Sequence, residues 1–212
     1  MSRRICISLV VNKLGYESQV FLVVDTETTG LFPEKGARLI EIAAIKISDG
    51  YICDKDIFHE LVNPGVIIPR NVSKIHGIRN DMIFGKPRPG GVLKRFLEVC
   101  NNVVLVMQNA RFDLKILNHE LWLAKLPPLR NPYVDTMDMA EYLFGRKRNG
   151  RKYSLDEILD RLHIQIGRRH RALDDAWATA EAFLKMAELI GDINSVARFI
   201  KKRKPNKLQT HR

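Results

Sequence analysis

The stretch VFLVVDTETTG, residues 20–30, decides the fold of this chain. Its first five residues are all apolar, which is typical of a strand buried on both faces of a sheet. Asp25 and Glu27 follow two positions apart, and side chains at that spacing on a strand point to the same side. The stretch therefore predicts a central strand whose end presents two carboxylates able to bind one cation together. The alternative is an ordinary polar turn after the strand.

Two more acidic motifs follow along the chain. The motif QNARFD, residues 108–113, comes after an apolar run at 103–107 that predicts a second buried strand, and it places Asp113 near a helix start. The motif HRALDD, residues 170–175, leads into a helix predicted over residues 173–190. The chain thus offers carboxylates at three separate points.

Helical periodicity chooses between the two adjacent aspartates of the third motif. Asp175 is aligned with residues expected to face inward: Ala172, Thr179, Ala182 and Met186. Asp174 is aligned with an expected solvent stripe: Ala178, Glu181, Lys185 and Glu188. Asp175 is therefore the predicted ligand, and His170, five positions earlier, is expected in the loop before the helix.

Taken in this order, the three motifs resemble the DnaQ-like, DEDDh family of 3′-to-5′ exonucleases, which includes the proofreading epsilon subunit of bacterial DNA polymerase III. The resemblance covers about residues 20–190 and is supported by VSKIHGI at 72–78, YVDT at 133–136 and YSLD at 153–156. The histidine subtype is favoured over the tyrosine subtype, because His170 lies five positions before Asp175 and position 171 holds no tyrosine. One departure is Gln108, where the family usually has histidine, so contacts near the substrate terminus are expected to differ.

The resemblance implies an α/β fold of the ribonuclease-H-like type, with a mixed five-stranded sheet flanked by helices. Two antiparallel strands, at 39–47 and 52–62, fit this sheet, with a turn signal at 48–50 between them. Helices are predicted over 92–100, from Asp135 to Phe144, and after a capping box at Ser154 and Glu157. The exonuclease domain is expected over 20–191, with an arm or added strand at 1–19 and a basic tail at 192–212.

The resemblance also implies a site for two divalent cations, Mg²⁺ or Mn²⁺, held by four carboxylates: Asp25, Glu27, Asp113 and Asp175. Crowded carboxylates repel one another by about 4 kcal/mol per pair at about 4 Å, so an empty site needs protons or cations to neutralise it. Oxygen ligands suit hard cations and disfavour a structural zinc. We expect an in-line displacement that releases a nucleoside 5′-monophosphate, with His170 taking the proton of the attacking water. For His170 the alternative is a loop residue without a role.

Substrate contacts follow from the same resemblance. The backbone around Thr28 and Gly30 would approach the terminal nucleotide, Leu31 would wedge against its base, and further contacts would come from His76, Asn109 and Phe112. Ordinary core packing is the alternative for Leu31 and Phe112, and a helix-end position is the alternative for His76.

Composition and charge agree with a nucleic-acid partner. The chain has 212 residues, 45% of them hydrophobic, which suits one domain with a full core, and no apolar stretch is long enough to cross a bilayer. Three widely spaced cysteines indicate buried thiols in a reducing compartment, hence the cytoplasm, or the nucleoid in a bacterium. The net charge is +11, with basic residues concentrated in the tail, at 146–152 and around His170, where they could attract phosphates. A merely soluble basic surface is the alternative.

Two classes of function remain open from the sequence. The first is an exonuclease acting on single-stranded or frayed 3′ ends, with DNA favoured over RNA, and with a DNA polymerase subunit as a possible partner. The second is an inactive nucleic-acid-binding or replisome-adaptor domain. The enzyme is favoured because a binding module has no reason to hold four repelling carboxylates together.

Overall fold

A computed structural model describes residues 20–165, 170–191 and 193–203 of the chain, without the side chains of residues 193 and 194. The strands are β1 (Phe21–Thr28), β2 (Leu39–Ser48), β3 (Tyr51–Leu61), β4 (Val104–Met107) and β5 (Tyr133–Asp135). The helices are α1 (Arg70–His76), α2 (Asn80–Ile83), α3 (Pro89–Val99), α4 (Ala110–Leu123), α5 (Thr136–Phe144), α6 (Leu155–Arg161), α7 (Ala172–Ile190) and α8 (Ile193–Val196). Short 3₁₀ turns occupy Pro33–Lys35 and Ala197–Phe199.

The five strands form one mixed sheet in the order β3-β2-β1-β4-β5. Strand β1 runs antiparallel to β2 and parallel to β4, while β5 runs parallel to β4. The expected mixed five-stranded sheet is therefore confirmed. Since β1, β4 and β5 are parallel, their carboxyl ends meet at one edge of the sheet, where ligands bind in open α/β sheets.

Strand β1 is buried on both faces, as its unbroken apolar run predicts. Phe21 and Val23 pack toward α5, α6 and α7, and the ring of Phe21 lies 5.0 Å from that of Phe183 on α7. Leu22 and Val24 pack on the opposite face against α3 and α4. Helices on the two faces can therefore bring residues to the end of β1 from both sides.

Local signals place most of the elements correctly. Asp49 and Gly50 adopt positive φ angles of 53° and 78°, which suits the tight hairpin turn expected there. The Ser154–Glu157 capping box starts α6, and the Asp135 carboxylate accepts a hydrogen bond from the Met137 N–H at the start of α5. Helix α3 begins three residues earlier than expected, because Pro89 is favourable in the first turn and the two following glycines are tolerated.

Strand β5 is the element that periodicity does not reveal. It has only three residues, too few to show an alternating pattern, although the YVDT motif marks its position. Its outer edge pairs with the C-terminal segment, since the backbone N–H of Lys201 donates to the Tyr133 carbonyl at 2.8 Å. The edge is thus covered.

Residues 195–203, which belong to the basic tail predicted over 192–212, contact the rest of the domain. Val196 is buried in the core, and the Lys201 ammonium lies 2.5 Å from an Asp138 carboxylate oxygen. The Arg203 guanidinium donates to the Leu129 carbonyl at 2.7 Å. The expected arm at 1–19 and the rest of the tail, 204–212, lie outside the described residues.

Two smaller findings complete the fold. Within the described ranges, no helix is both long and apolar enough to span a bilayer. Cys100 is buried, and burial raises the pKa of its thiol to about 12, whereas Cys53 is only half-buried, so the expectation of buried thiols holds for one of these two.

Candidate metal centre

Three carboxylates meet at the carboxyl end of β1. Asp25 and Glu27 project from β1, Asp175 projects from the first turn of α7, and each offers an oxygen within 4.8 Å of the others. Helix α7 can approach this closely because Ala172 and Ala176 pack against Ala43 and Ile45 on β2. The same-side prediction for β1 is therefore confirmed, and Asp175 does face inward.

The solvent stripe expected on α7 is only partly correct. Asp174 is half-buried and Glu188 is exposed, but Ala178 is buried in the core. Helices α5 and α6 pack against this side of α7, which the periodicity of one helix cannot show. The choice of Asp175 over Asp174 is unaffected.

Burial and neighbouring charges perturb the Glu27 carboxyl group of this cluster. Burial, followed by the charges of Asp175 and Glu41, raises the pKa of Glu27 from 4.5 to about 8. At neutral pH Glu27 therefore holds a proton in the absence of a cation. Because all the donors are carboxylate oxygens, the cluster fits a hard divalent cation.

Asp113 approaches from the other face of the sheet. It is buried in the first turn of α4, where the Thr26 hydroxyl donates to its Oδ1 at 2.7 Å. Burial raises the pKa of Asp113 to about 7 although this hydrogen bond opposes the rise. Three of the four expected carboxylates therefore form the cluster. Asp113 lies outside this group, but its charge contributes to the raised pKa of Glu27.

His170 lies directly before α7, in the loop where it was expected. It is exposed and has a left-handed backbone, with φ of 63°. Its backbone N–H donates to Asp175 Oδ1 at 3.3 Å. The loop conformation of His170 is therefore coupled to the Asp175 carboxylate.

Glu41 is the residue that the sequence reasoning missed. It lies opposite Glu27 in the β1–β2 register, fully buried, and its carboxylate receives Arg171 at 2.6 Å and the Ala172 N–H at 3.0 Å. The ring of His59 lies 2.8 Å away. Burial would raise the pKa of Glu41, but hydrogen bonds from His59 and Arg171 outweigh it and lower the pKa to about 2. Glu41 therefore fixes the start of α7, which carries Asp175, to the sheet.

A sequence signal for Glu41 does exist. It stands inside the apolar strand Leu39–Ile47, and an acidic residue in a fully buried strand is nearly always paired. The partner, Arg171, is 130 positions away, so only the fold can identify it.

A second buried carboxylate, that of Glu120 on α4, also fixes a helix in place, on the opposite face of the sheet. It accepts two hydrogen bonds from Arg38, at 2.7 and 3.0 Å, and one from the Leu39 N–H at 3.0 Å. The Arg38 N–H in turn donates to the Thr29 hydroxyl at 2.9 Å. Glu120 therefore links α4 to the loop that follows β1.

The residues proposed to contact substrate surround this edge with different exposures. Thr28 is buried and its hydroxyl donates to the Gly30 carbonyl at 2.6 Å. Leu31 is 66% exposed, and Phe112 is half-buried and in none of the described core clusters, so neither is an ordinary core residue. Asn109 is exposed with φ of 63° immediately before α4.

His76 and Gln108 are turned inward. His76 ends α1 and is buried; its Nδ1 accepts the Ile78 N–H at 3.0 Å, which places the ring proton on Nε2. Burial lowers the pKa of His76. Gln108 donates to the Tyr153 carbonyl at 2.9 Å, and its Oε1 accepts from the Thr136 hydroxyl. The Gln108 amide thus connects the end of β4 to Tyr153 through its nitrogen and to Thr136 through its oxygen.

Comparisons with known proteins point to one family. The model of the RNase T exonuclease family matches residues 22–183. The chain is 40% identical over 190 residues to the DNA polymerase III PolC-type protein of Thermotoga petrophila, which covers 87% of this chain and 13% of that protein. It is 36% identical over 187 residues to the DNA polymerase III subunit epsilon of Aquifex aeolicus, which covers 85% of this chain and 90% of that subunit. The chain thus spans a small part of the first relative and most of the second.

Solved structures agree with the fold. Exonuclease X in complex with 5′ overhanging duplex DNA superposes with a TM-score of 0.63 at 26% identity, covering 80% of this chain and 92% of that one. The nuclease domain of 3′hExo, a DEDDh family member bound to rAMP, gives a TM-score of 0.73 at 19% identity, covering 88% and 97%. These findings confirm the ribonuclease-H-like fold and the resemblance seen in the motifs.

The raised pKa of Glu27 predicts how stability depends on pH. In chelator, the folded state keeps a proton on Glu27 that the unfolded state releases, so stability should fall as pH rises from about 4.5 to about 8. Glu27→Gln should flatten this fall and stabilise the metal-free protein at pH 8, as measured by urea unfolding across the pH range. Glu98→Gln, an exposed change on α3, is the matched control and should keep the native profile. A native profile in Glu27→Gln would show that the pKa of Glu27 is not raised in the folded chain.

The Glu41 contacts predict a stability loss on substitution. Glu41→Gln should reduce the free energy of unfolding by about 3 to 5 kcal/mol, because Arg171 is left without its charged partner. Glu34→Gln, which loses only an exposed ion pair with Lys115, should remain near native stability in the same urea titrations. Equal effects of the two substitutions would show that Glu41 does not anchor α7.

Proposed function

The chain belongs to the RNase T exonuclease family, and we propose that it is a metal-dependent 3′-to-5′ exonuclease that removes nucleoside 5′-monophosphates from DNA ends. The observation that carries this proposal is the approach of Asp25, Glu27 and Asp175 to within 4.8 Å of one another. His170 adjoins this cluster through its backbone hydrogen bond to Asp175.

The proposed chemistry assigns a task to each residue of the cluster. Asp25, Glu27 and Asp175 would hold divalent cations, with Asp113 serving a second one from the opposite face of the sheet. Mg²⁺ or Mn²⁺ fits the all-oxygen donor set. When bound, such cations stabilise the charge of the reacting phosphodiester and acidify the attacking water. His170 would accept the proton of that water, a role worth about 10² to 10⁴ in rate.

The contacts with the terminal nucleotide are proposed from the positions around the cluster. Leu31 is a large apolar side chain left in solvent beside the end of β1, where it could stack against a base. Asn109 precedes α4 and Phe112 lies in its first turn, directly after β4, the strand that pairs with β1. Thr28 ends β1, and Gly30 follows two residues later. His76, buried at the end of α1, would complete the pocket through Nε2. None of these contacts selects a base edge, so trimming should be independent of sequence.

DNA is the proposed polymer because the two curated relatives described above are DNA polymerase III proteins. From the same relatives we propose that the chain proofreads DNA, alone or with a polymerase subunit, in the cytoplasm or at the nucleoid of a bacterium. An RNA-trimming activity at the same cluster is the nearest alternative. An inactive binding domain is disfavoured, since holding Glu27 beside Asp175 costs stability that binding alone does not require.

One assay tests both the reaction and its substrate. Single-stranded DNA, single-stranded RNA and mismatched duplex DNA, each labelled at the 5′ end, are incubated with Mg²⁺, Mn²⁺ or chelator. We expect stepwise shortening of the DNA substrates with either cation and no shortening in chelator. Shortening of RNA alone would support the exoribonuclease alternative, and activity that survives chelation would contradict the metal-dependent mechanism.

Two adjacent aspartates supply a matched pair of variants for this assay. Asp175→Asn should abolish shortening, because it removes a carboxylate of the cluster. Asp174→Asn makes the same change of charge one position away, outside the cluster, and should retain activity. His170→Ala should lower the turnover rate about 10²-fold or more at saturating Mg²⁺. An unchanged rate in His170→Ala would remove His170 from the role of base.

Gly30 allows a test of close backbone approach. A Cβ added there would meet only the Cβ of Ala37, at 3.6 Å, so the fold itself does not require glycine. Gly30→Ala should therefore fold with native stability but raise the KM for DNA, because the new methyl group would stand between the backbone and the nucleotide. Gly91→Ala, whose Cβ would meet nothing within 4 Å, is the control and should leave KM unchanged. A native KM in Gly30→Ala would place the nucleotide elsewhere.

A further inference from the structure

We propose that the loop between α5 and α6, residues 145–152, binds the phosphate backbone of the strand whose end lies at the carboxylate cluster. We call this segment the basic loop; it has the sequence GRKRNGRK. The inference deepens the proposed function and rests on it for the position of the strand. Three features carry it: the way the loop is anchored, the sorting of its charges, and its attachment to the end of β4.

Tyr153 closes the basic loop into a fixed shape. Its hydroxyl group lies 3.0 Å from the Gly145 carbonyl, at the opposite end of the loop, and donates a hydrogen bond to it. The Tyr153 ring packs edge-on against Phe144, with the Arg161 guanidinium 5.3 Å from the ring centroid. The Tyr153 side chain thus holds the two ends of the loop together.

Charges within the basic loop fall into two sets. The two lysines are neutralised locally: Lys147 pairs with Glu157 at 2.6 Å, and Lys152 pairs with Glu141 at 2.5 Å. The three arginines point outward. Arg148 and Arg151 are exposed and have no ion-pair partner among the described residues, and Arg146 is 89% exposed with only a 4.0 Å approach to Glu141. The fold therefore compensates the lysines and leaves three guanidinium groups for another anion.

The attachment of the basic loop places it beside the proposed active site. The Tyr153 carbonyl accepts a hydrogen bond from the Gln108 side chain, and Gln108 lies at the end of β4, directly before Asn109. Helix α4 starts there and carries Asp113 in its first turn. A strand ending at the carboxylate cluster would pass this edge of the sheet with its preceding phosphates.

An extended anion with regularly spaced charges is the partner that suits these groups. Three arginines on one short loop can each contact a phosphate, and guanidinium groups bind phosphates bidentately. The loop lacks an exposed aromatic residue on which a base could stack, so it should bind the backbone and not the bases.

A binding experiment in chelator tests the proposal without any need for hydrolysis. The variant Arg146→Gln/Arg148→Gln/Arg151→Gln is compared with the native chain by fluorescence anisotropy on a short labelled oligothymidylate, at salt concentrations from about 50 to 200 mM. The control variant, Lys55→Gln/Lys86→Gln/Lys94→Gln, makes the same change of charge at exposed lysines that form no ion pair with the described part of the chain. Two of them lie on β3 and α3, away from β5.

The expected result is a specific loss in the loop variant. Its affinity should fall about tenfold or more at the lowest salt. The slope of log affinity against log salt should become shallower by about 2, because each lost phosphate contact on a single strand accounts for about 0.7. The control variant should keep most of the native affinity and slope. Equal behaviour of the two variants would overturn the proposal, because it would show that only net charge matters.

A small substrate separates this proposal from the proposed function. The nitrophenyl ester of thymidine 5′-monophosphate has no preceding phosphates, so the loop variant should hydrolyse it with Mn²⁺ as fast as the native chain. Failure of the native chain to cleave both this ester and DNA would refute the exonuclease, while the anisotropy result would still decide whether the loop binds the strand. Slower cleavage of the ester by the loop variant, at native thermal stability, would mean that the arginines act within the active site and would contradict a backbone role.

Discussion

The rest of the candidate site depends on the hydrogen bonds that the buried Glu41 carboxylate accepts. It lies on β2 and receives Arg171 and the Ala172 N–H, so the first turn of α7 is bound to the sheet at the point where Asp175 must reach β1. Burying a carboxylate is costly unless its oxygens are saturated with donors. Here the donors suffice, because the pKa of Glu41 falls to about 2 although burial opposes the fall.

Two glutamates that face each other across β1 and β2 are driven in opposite directions by their surroundings. Burial and neighbouring acids raise the pKa of Glu27 to about 8, while donors keep Glu41 ionised. The contrast separates a structural carboxylate from one that is available to a ligand. Glu27 is held in a position that protons or cations must stabilise, and the anchoring by Glu41 prevents α7 from moving away to relieve the repulsion.

The sequence predicts those parts of the site that depend on local periodicity. Alternation along β1 places Asp25 with Glu27, and the helical repeat selects Asp175 over Asp174. Periodicity does not state which face of a sheet a helix covers, so it could not place Asp113 across β1, bonded to Thr26. Nor could it pair Glu41 with Arg171, since that contact joins distant parts of the chain. Periodicity also fails to predict the three-residue β5 and the burial of Ala178, because both depend on tertiary neighbours.

Basic and acidic groups lie near one another in this chain, and local ion pairs hold part of the basic charge. Among the described residues, Arg171 lies near enough to oppose the rise in the pKa of Glu27, and its guanidinium is bound to Glu41. The exposed arginines of the basic loop stand on the neighbouring strand end, attached through Gln108. Their positive field is proposed to attract a phosphate backbone, an effect that salt screens over about 8 Å at physiological ionic strength. The proposal thus assigns strand binding and cation binding to different residues of this chain.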